Sequence, residues 1–119
     1  MLVDDWEIQG EYLSDNLREK GFEVVYFSNG DKAYQEIEDG LVYDIAIIDY
    51  SLHRMFRERI GQKDGRDLID LSKKNNPHVK IIGMSAYGIP IKGCDGHVEK
   101  ILNHDKELES LLMLIELHL

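Results

Sequence analysis

Five polar side chains in this sequence would do chemistry together if the chain brought them to one place. They are the acidic pair Asp4-Asp5, then Asp49, Ser85 and Lys100. An apolar run precedes most of them: Leu2-Val3 before the pair, IAII before Asp49 and IIGM before Ser85. Three carboxylates crowded together repel one another, and burial raises the cost of their charge. A divalent cation relieves both. An all-oxygen site that keeps several waters suits Mg²⁺, which binds through one or two carboxylates plus phosphate oxygens. Beside such an ion the Asp49 carboxylate is placed as a nucleophile toward a phosphoryl group. The metal and Lys100 would neutralise charge on the phosphoryl oxygens, and Ser85 would donate a hydrogen bond. Taken singly, each residue has a plainer reading. Asp4 and Asp5 are good helix caps, Asp49 is a common turn residue, Ser85 says nothing alone, and Lys100 is an ordinary surface charge. The weight lies in their order along the chain.

The elements that must position them read as strands alternating with helices. MLV (1–3) is a short strand. Residues 7–20 form a helix with Ile8, Leu13 and Leu17 near one face and Gly21 as its stop. FEVVYF (22–27) is β-branched and aromatic, closed by Asn29-Gly30. Asp31 caps a short helix that turns Ala33, Tyr34 and Ile37 inward and ends at Gly40. DIAIID (44–49) is a buried-type strand. A helix at about 65–75 turns Leu68, Ile69 and Leu71 or Ser72 inward and stops at Asn76-Pro77. KIIGMS (80–85) and GHVEKI (96–101) are the last strands. The final helix carries Leu108, Leu111, Leu112, Ile115 and Leu119 at helical spacing. Near-continuous apolar strands alternating with helices predict an α/β fold with a parallel sheet covered on both faces. Five strands favour the flavodoxin-like order 2-1-3-4-5, in which strands 1 and 3 are neighbours and ligands bind beyond their carboxyl ends.

The totals exclude other classes. The 119 residues predict one domain, 1–119. With 43% apolar and 31% charged residues the chain is globular rather than disordered. Its net charge of −9 makes it a poor partner for nucleic-acid backbones. Cys94 is the lone cysteine, so neither an internal disulfide nor a cysteine-based zinc site can form. The start MLVDDWE lacks the features of a signal peptide, and the longest apolar run, LLMLI, is too short to span a bilayer. A cytoplasmic protein with no membrane association is expected. His53, His78, His104 and His118 show no metal-ligand spacing and read as surface residues.

The ordered set LVDD, IIDYSL, GMSAYG and DGHVEKI resembles the receiver domain of two-component response regulators, and the resemblance covers essentially the whole chain. It implies a CheY-like fold and Asp49 as the phosphoacceptor. It implies a Mg²⁺ site made by Asp5 directly, Asp4 through water, Asp49 and the Ser51 backbone carbonyl. Ser85 would bind the phosphoryl group, Lys100 would pair with Asp49 or its phosphate, and His97 holds the position of the family's switch aromatic. Tyr87 either shields the phosphoryl group or packs. The implied activity is acceptance of a phosphoryl group from the histidine of a kinase or phosphotransfer protein, with self-hydrolysis rather than enzymatic turnover of a separate substrate.

Four features depart from the family pattern. Only three residues precede Asp4. Asp49 to Gly65 spans 16 positions, about twice the family's interval, and the family's proline is missing there. Ile101 follows Lys100 where proline is usual. Ser85 to Lys100 spans only 15 positions, and Gly88, Pro90 and Gly93 fall between them, so the fourth helix of the family should be short or absent. That remodels the face which commonly carries output and dimerisation, and the oligomeric state and output partner are not set by the sequence. The stretch 50–64 carries Arg54, Arg57, Arg59 and Lys63 with Met55, Phe56 and Ile60. It reads either as a docking or lid element beside Asp49 or as a solvated insertion.

Three other functions compete. A pseudo-receiver would keep the fold and act only by protein contact, independently of phosphorylation. A phosphatase of the haloacid-dehalogenase type would want an Asp two positions after Asp49, where Ser51 stands. A flavodoxin-type flavin binder would want a phosphate loop where DDWEIQ offers acids.

Overall fold

The computed structural model describes residues 1–50, 63–86 and 91–119. The readings of Ser51, Tyr87 and His53, and almost all of the 50–64 stretch, lie outside these residues. In chain order the elements are β1 (Leu2–Val3), α1 (Glu7–Glu19), β2 (Tyr26–Phe27), α2 (Gly30–Glu38), β3 (Ile45–Asp49), α3 (Gly65–Asn75), β4 (Lys80–Ser85), β5 (Gly96–Glu99) and α4 (His104–His118). The five strands form one sheet in the order β2-β1-β3-β4-β5, all pairs parallel. This is the flavodoxin-like order expected, with β1 and β3 side by side.

Alternation along the strands builds two cores. Val3, Ala46, Ile48 and Ile81 point to the face covered by α2 and α3, joined there by Ala33, Ile37, Leu68 and Ile69. Leu2, Ile47, Ile82 and Met84 point to the face covered by α1 and α4, with Leu13, Leu17, Leu111 and Ile115. Both faces are apolar, so β3 and β4 read as unbroken hydrophobic runs.

Several local expectations are corrected. The strand read over 22–27 pairs only at Tyr26–Phe27, because its sole neighbour β1 is itself two residues long. The fifth strand ends at Glu99 rather than 101. Asn29, not Asp31, caps α2, its side chain accepting from the amides of Asp31 and Lys32. Ile8 is 68% exposed rather than inward, since the buried face of α1 runs through Gln9, Leu13 and Leu17. Leu119 is also exposed, at the frayed end of α4. His104 is no bare surface residue, because its ring lies 5.2 Å from that of Trp6 and 5.4 Å from that of Tyr12.

No helix stands between β4 and β5 among the described residues, as the Gly and Pro content there requires. The turn at 91–94 covers the sheet instead. A Cβ added at Gly83 would lie 2.8 Å from Ile91 Cδ1 and 2.9 Å from Cys94 Sγ, so those two side chains rest directly on the strand. Asp95 then fixes where β5 begins. Its amide donates to Ile81 O (2.7 Å), and its carboxylate accepts from Ile81 N (2.8 Å). No helix among the described residues is long and apolar enough to cross a membrane.

Candidate functional site

The carboxyl ends of β1, β3, β4 and β5 converge on one rim. β1 runs straight into Asp4, which is fully buried, while Asp5 beside it is more open to solvent. Asp49 closes β3 and is 1% exposed; Ser85 closes β4 and is also buried. Lys100 follows β5. Its position is set by the backbone, because Lys100 N donates to Ser85 O at 2.7 Å. The short Ser85–Lys100 span and the missing proline therefore do not misplace it.

Lys100 Nζ lies 2.8 Å from Asp49 Oδ2, to which it donates a hydrogen bond, and 3.7 Å from Asp4 Oδ1. Burial alone would lower the Lys100 ammonium, but the charges of Asp49 and then Asp4, with the bond to Asp49, hold it above its ordinary value. The Asp4 carboxyl is pushed up to about 7, first by burial and next by the Asp49 charge. One cation among the acids is thus too little to keep all of them comfortably ionised. Oxygens of Asp4, Asp5 and Asp49 lie within 4.8 Å of one another.

These residues fit a divalent cation. Asp4 Oδ1 accepts from Trp6 N at 3.0 Å, yet Asp4 Oδ2 is buried with no hydrogen-bond partner among the described residues. A buried carboxylate oxygen left so is costly unless something positive completes it. The donor set is entirely oxygen, and opposite ligands of an octahedral Mg²⁺ stand about 4.2 Å apart, close to the observed spread. Asp4, Asp5 and Asp49 are the described residues that would hold such an ion.

Ser85 Oγ lies 2.8 Å from His97 Nε2. The resemblance put His97 at the family's switch-aromatic position; the structure adds a direct bond from its ring to the hydroxyl next to the acids.

Two positioning residues, Tyr26 and Gly10, escaped the sequence reading, and a third, Gly65, was noted there only for its spacing from Asp49. Tyr26 Oη donates to Asp4 O at 2.8 Å and so holds the backbone of the acidic pair. Gly10 makes room for that ring, since a Cβ there would lie 2.3 Å from Tyr26 Oη. A glycine inside a helix costs about 1 kcal/mol, which is the signal that would have flagged it. Gly65 performs a similar service on the other side. A Cβ on it would meet Tyr50 Cα at 2.8 Å and Asp49 O at 3.1 Å, so the start of α3 is laid against the backbone of the Asp49 turn. Asp64 and Asp67 fix that helix start with a capping box.

No family model and no curated protein matches this chain. Solved structures do. The response regulator protein TrrA from Thermotoga maritima, in complex with Mg²⁺-BeF, superposes with a TM-score of 0.73 at 27% identity, covering 99% of this chain and 96% of that one. The receiver domain of NtrX from Brucella abortus gives 0.73 at 21% identity, over 98% and 94%. The receiver domain of the hybrid histidine kinase CckA gives 0.72 at 18% identity, over 98% and 94%. The resemblance read from the ordered acids, serine and lysine therefore holds for the whole fold: this chain has the architecture of a response regulator receiver domain, divergent in sequence from those it is similar to.

Proposed function

We propose that this chain is a phosphoacceptor receiver domain of a two-component phosphorelay, and that Asp49 takes the phosphoryl group. The observation that carries the reading is the pairing of Lys100 Nζ with Asp49 at 2.8 Å inside a cluster of three carboxylates at the strand 1–strand 3 switch point. A purely structural acid would not be buried beside two more of its own charge.

The donor is a phosphohistidine on a kinase or phosphotransfer protein. An Asp49 carboxylate oxygen attacks phosphorus, a P–O bond forms, and the P–N bond to the imidazole breaks. The electron pair leaves on the imidazole nitrogen, which takes up a proton. Mg²⁺, when bound, neutralises phosphoryl oxygens and the carboxylates around them. Lys100 supplies the positive charge that this chain itself contributes, held charged by Asp49 and Asp4. Ser85 leads from the end of β4 toward the same rim and offers a hydroxyl donor to a phosphoryl oxygen. His97, now on Ser85, is the residue that would register the departure of that hydroxyl. Loss of the phosphoryl group to water is self-catalysed, and no separate substrate is turned over. A cytoplasmic kinase partner suits this chemistry.

The test is labelling with a small phosphodonor such as acetyl phosphate. Wild-type protein should gain the mass of one phosphoryl group in Mg²⁺ and none in chelator, and Asp49→Asn should gain none in either. Labelling that survives Asp49→Asn would overturn Asp49 as the phosphoacceptor, and labelling that never occurs while a folded protein binds Mg²⁺ would transfer the function to the phosphorylation-independent reading.

A further inference from the structure

One cation close to the acid cluster ties three parts of the fold together. Arg66 is the second residue of α3 and follows Gly65, which lies against the Asp49–Tyr50 backbone. Its guanidinium stands 5.7 Å from the centre of the Tyr50 ring. Its Nη2 donates to Lys92 O at 2.5 Å, and its Nη1 lies 3.3 Å from Asp70 Oδ1, four residues along the same helix. Tyr50 directly follows Asp49 and still belongs to the sheet, since Tyr50 N donates to Met84 O at 2.8 Å. Lys92 belongs to the turn at 91–94 that rests on Gly83. One side chain therefore reaches from the residue after Asp49 to the turn that covers β4. That turn is shaped for the contact. Gly93 has a φ of +92°, a conformation glycine adopts without strain. A Cβ on it would lie 3.2 Å from Ile69 Cγ2, 3.5 Å from Lys73 Cε and 3.6 Å from Arg66 Nη1, so the turn is pressed onto α3. Cys94 N closes the turn by donating to Ile91 O at 3.1 Å. The plain reading of Arg66 is a surface ion pair with Asp70. That pair accounts for little, because Asp70 is 67% exposed and exposed pairs contribute weakly. A carbonyl on another element and an aromatic face are what a planar guanidinium can serve at once.

We propose that Arg66 is a strut through which the state of Asp49 reaches the turn at 91–94. The inference rests on the reading of Asp49 as the phosphoacceptor. A phosphoryl group adds negative charge to the residue adjoining Tyr50. The Arg66 guanidinium, charged at every accessible pH, is drawn toward that charge. Its bond to Lys92 O is the one given up, because a neutral carbonyl competes poorly with an anion for a cationic donor. The turn loses its tie to α3 and opens more often. The route runs from Tyr50 through α3 and does not pass through the Ser85–His97 bond.

The experiment follows amide exchange by NMR on isotope-labelled full-length protein. Acetyl phosphate with Mg²⁺ is the phosphodonor, and the protein's mass records phosphorylation. In wild type, exchange at the Cys94 amide should speed up about tenfold on phosphorylation. The Asp95 amide, bonded to Ile81 O in the sheet, should not change. Arg66→Met should show the faster Cys94 exchange before phosphorylation and no further response after it, with the phosphoryl mass still gained. Were Arg66 only a packing residue, its loss would raise the starting rate and leave the response in place. A response that survives Arg66→Met would therefore overturn the proposal, and so would phosphoryl mass gained in wild type with no change at Cys94. Absence of the phosphoryl mass would count against Asp49 as the acceptor, and the strut would fall with it; the mass tells the two failures apart.

Discussion

Asp4 carries the highest electrostatic cost at the site. Its carboxyl titrates near 3.8 in the unfolded chain and at about 7 in the fold, raised first by burial and then by Asp49. The folded state therefore keeps a proton that the unfolded chain has already lost. Stability from this group is full below pH 3.8 and falls away as pH rises through about 7. In chelator, the urea midpoint should drop between pH 5 and pH 8, and Asp4→Asn should remove most of that drop, gaining about 1–3 kcal/mol at pH 8. Parallel profiles for the two proteins would show that the Asp4 charge is not the cause. Lys100 is the opposite case. Its ammonium is the cation closest to two buried carboxylates, so Lys100→Met should cost the metal-free protein about 2–4 kcal/mol, read by the same unfolding measurement at pH 7. The acids were legible in the sequence because apolar runs mark the strand ends that carry them, whereas Lys100, after the weaker strand GHVE, stood out only by its order behind them. The proton on Asp4 was not, because it depends on Asp49 and Lys100 standing close by, a fact of the folded sheet.

The elements carry that geometry through a few close contacts. β5 is placed by the paired bonds of Asp95 to Ile81 and by Lys100 N on Ser85 O, with no helix before it among the described residues. Gly88, Pro90 and Gly93 between β4 and β5 oppose a helix, and the short span there leaves room for one turn at most. What replaced it was not readable, since the seating of Ile91 and Cys94 on Gly83 is a packing solution rather than a pattern. That seating is tight enough to test. Gly83→Ala should destabilise the fold by about 1–3 kcal/mol, measured by thermal unfolding, through displacement of the 91–94 turn. Gly65→Ala should cost a similar amount, and it should also slow labelling of Asp49, because its new methyl group meets the Tyr50 backbone. Gly83→Ala, whose contacts lie in the turn that covers the sheet, should leave labelling largely intact. Equal effects of the two substitutions on labelling would remove the claim that Gly65 positions the Asp49 turn.

For the whole molecule, a cation held by the acid cluster would be coupled to the fold. The sheet brings three carboxylates within 4.8 Å although Asp4 and Asp49 are 45 positions apart in sequence. Any agent that binds this cluster only when it is assembled stabilises the entire domain, by about 2.7 kcal/mol at a hundredfold excess over its dissociation constant. Mg²⁺ must displace the proton held on Asp4 to use that carboxylate. The stabilisation by a fixed Mg²⁺ concentration should therefore be small at pH 5 and grow toward pH 8, opposite in sign to the trend in chelator. Asp5→Asn should reduce it at both pH values, because the more solvent-open member of the pair is the one expected to hold the ion directly. A thermal-unfolding grid of pH against Mg²⁺, with Na⁺ at matched ionic strength as the control, measures the coupling. If Na⁺ gave the same shift, the acids would be responding to screening alone, and the assignment of the cluster to a bound divalent cation would fall.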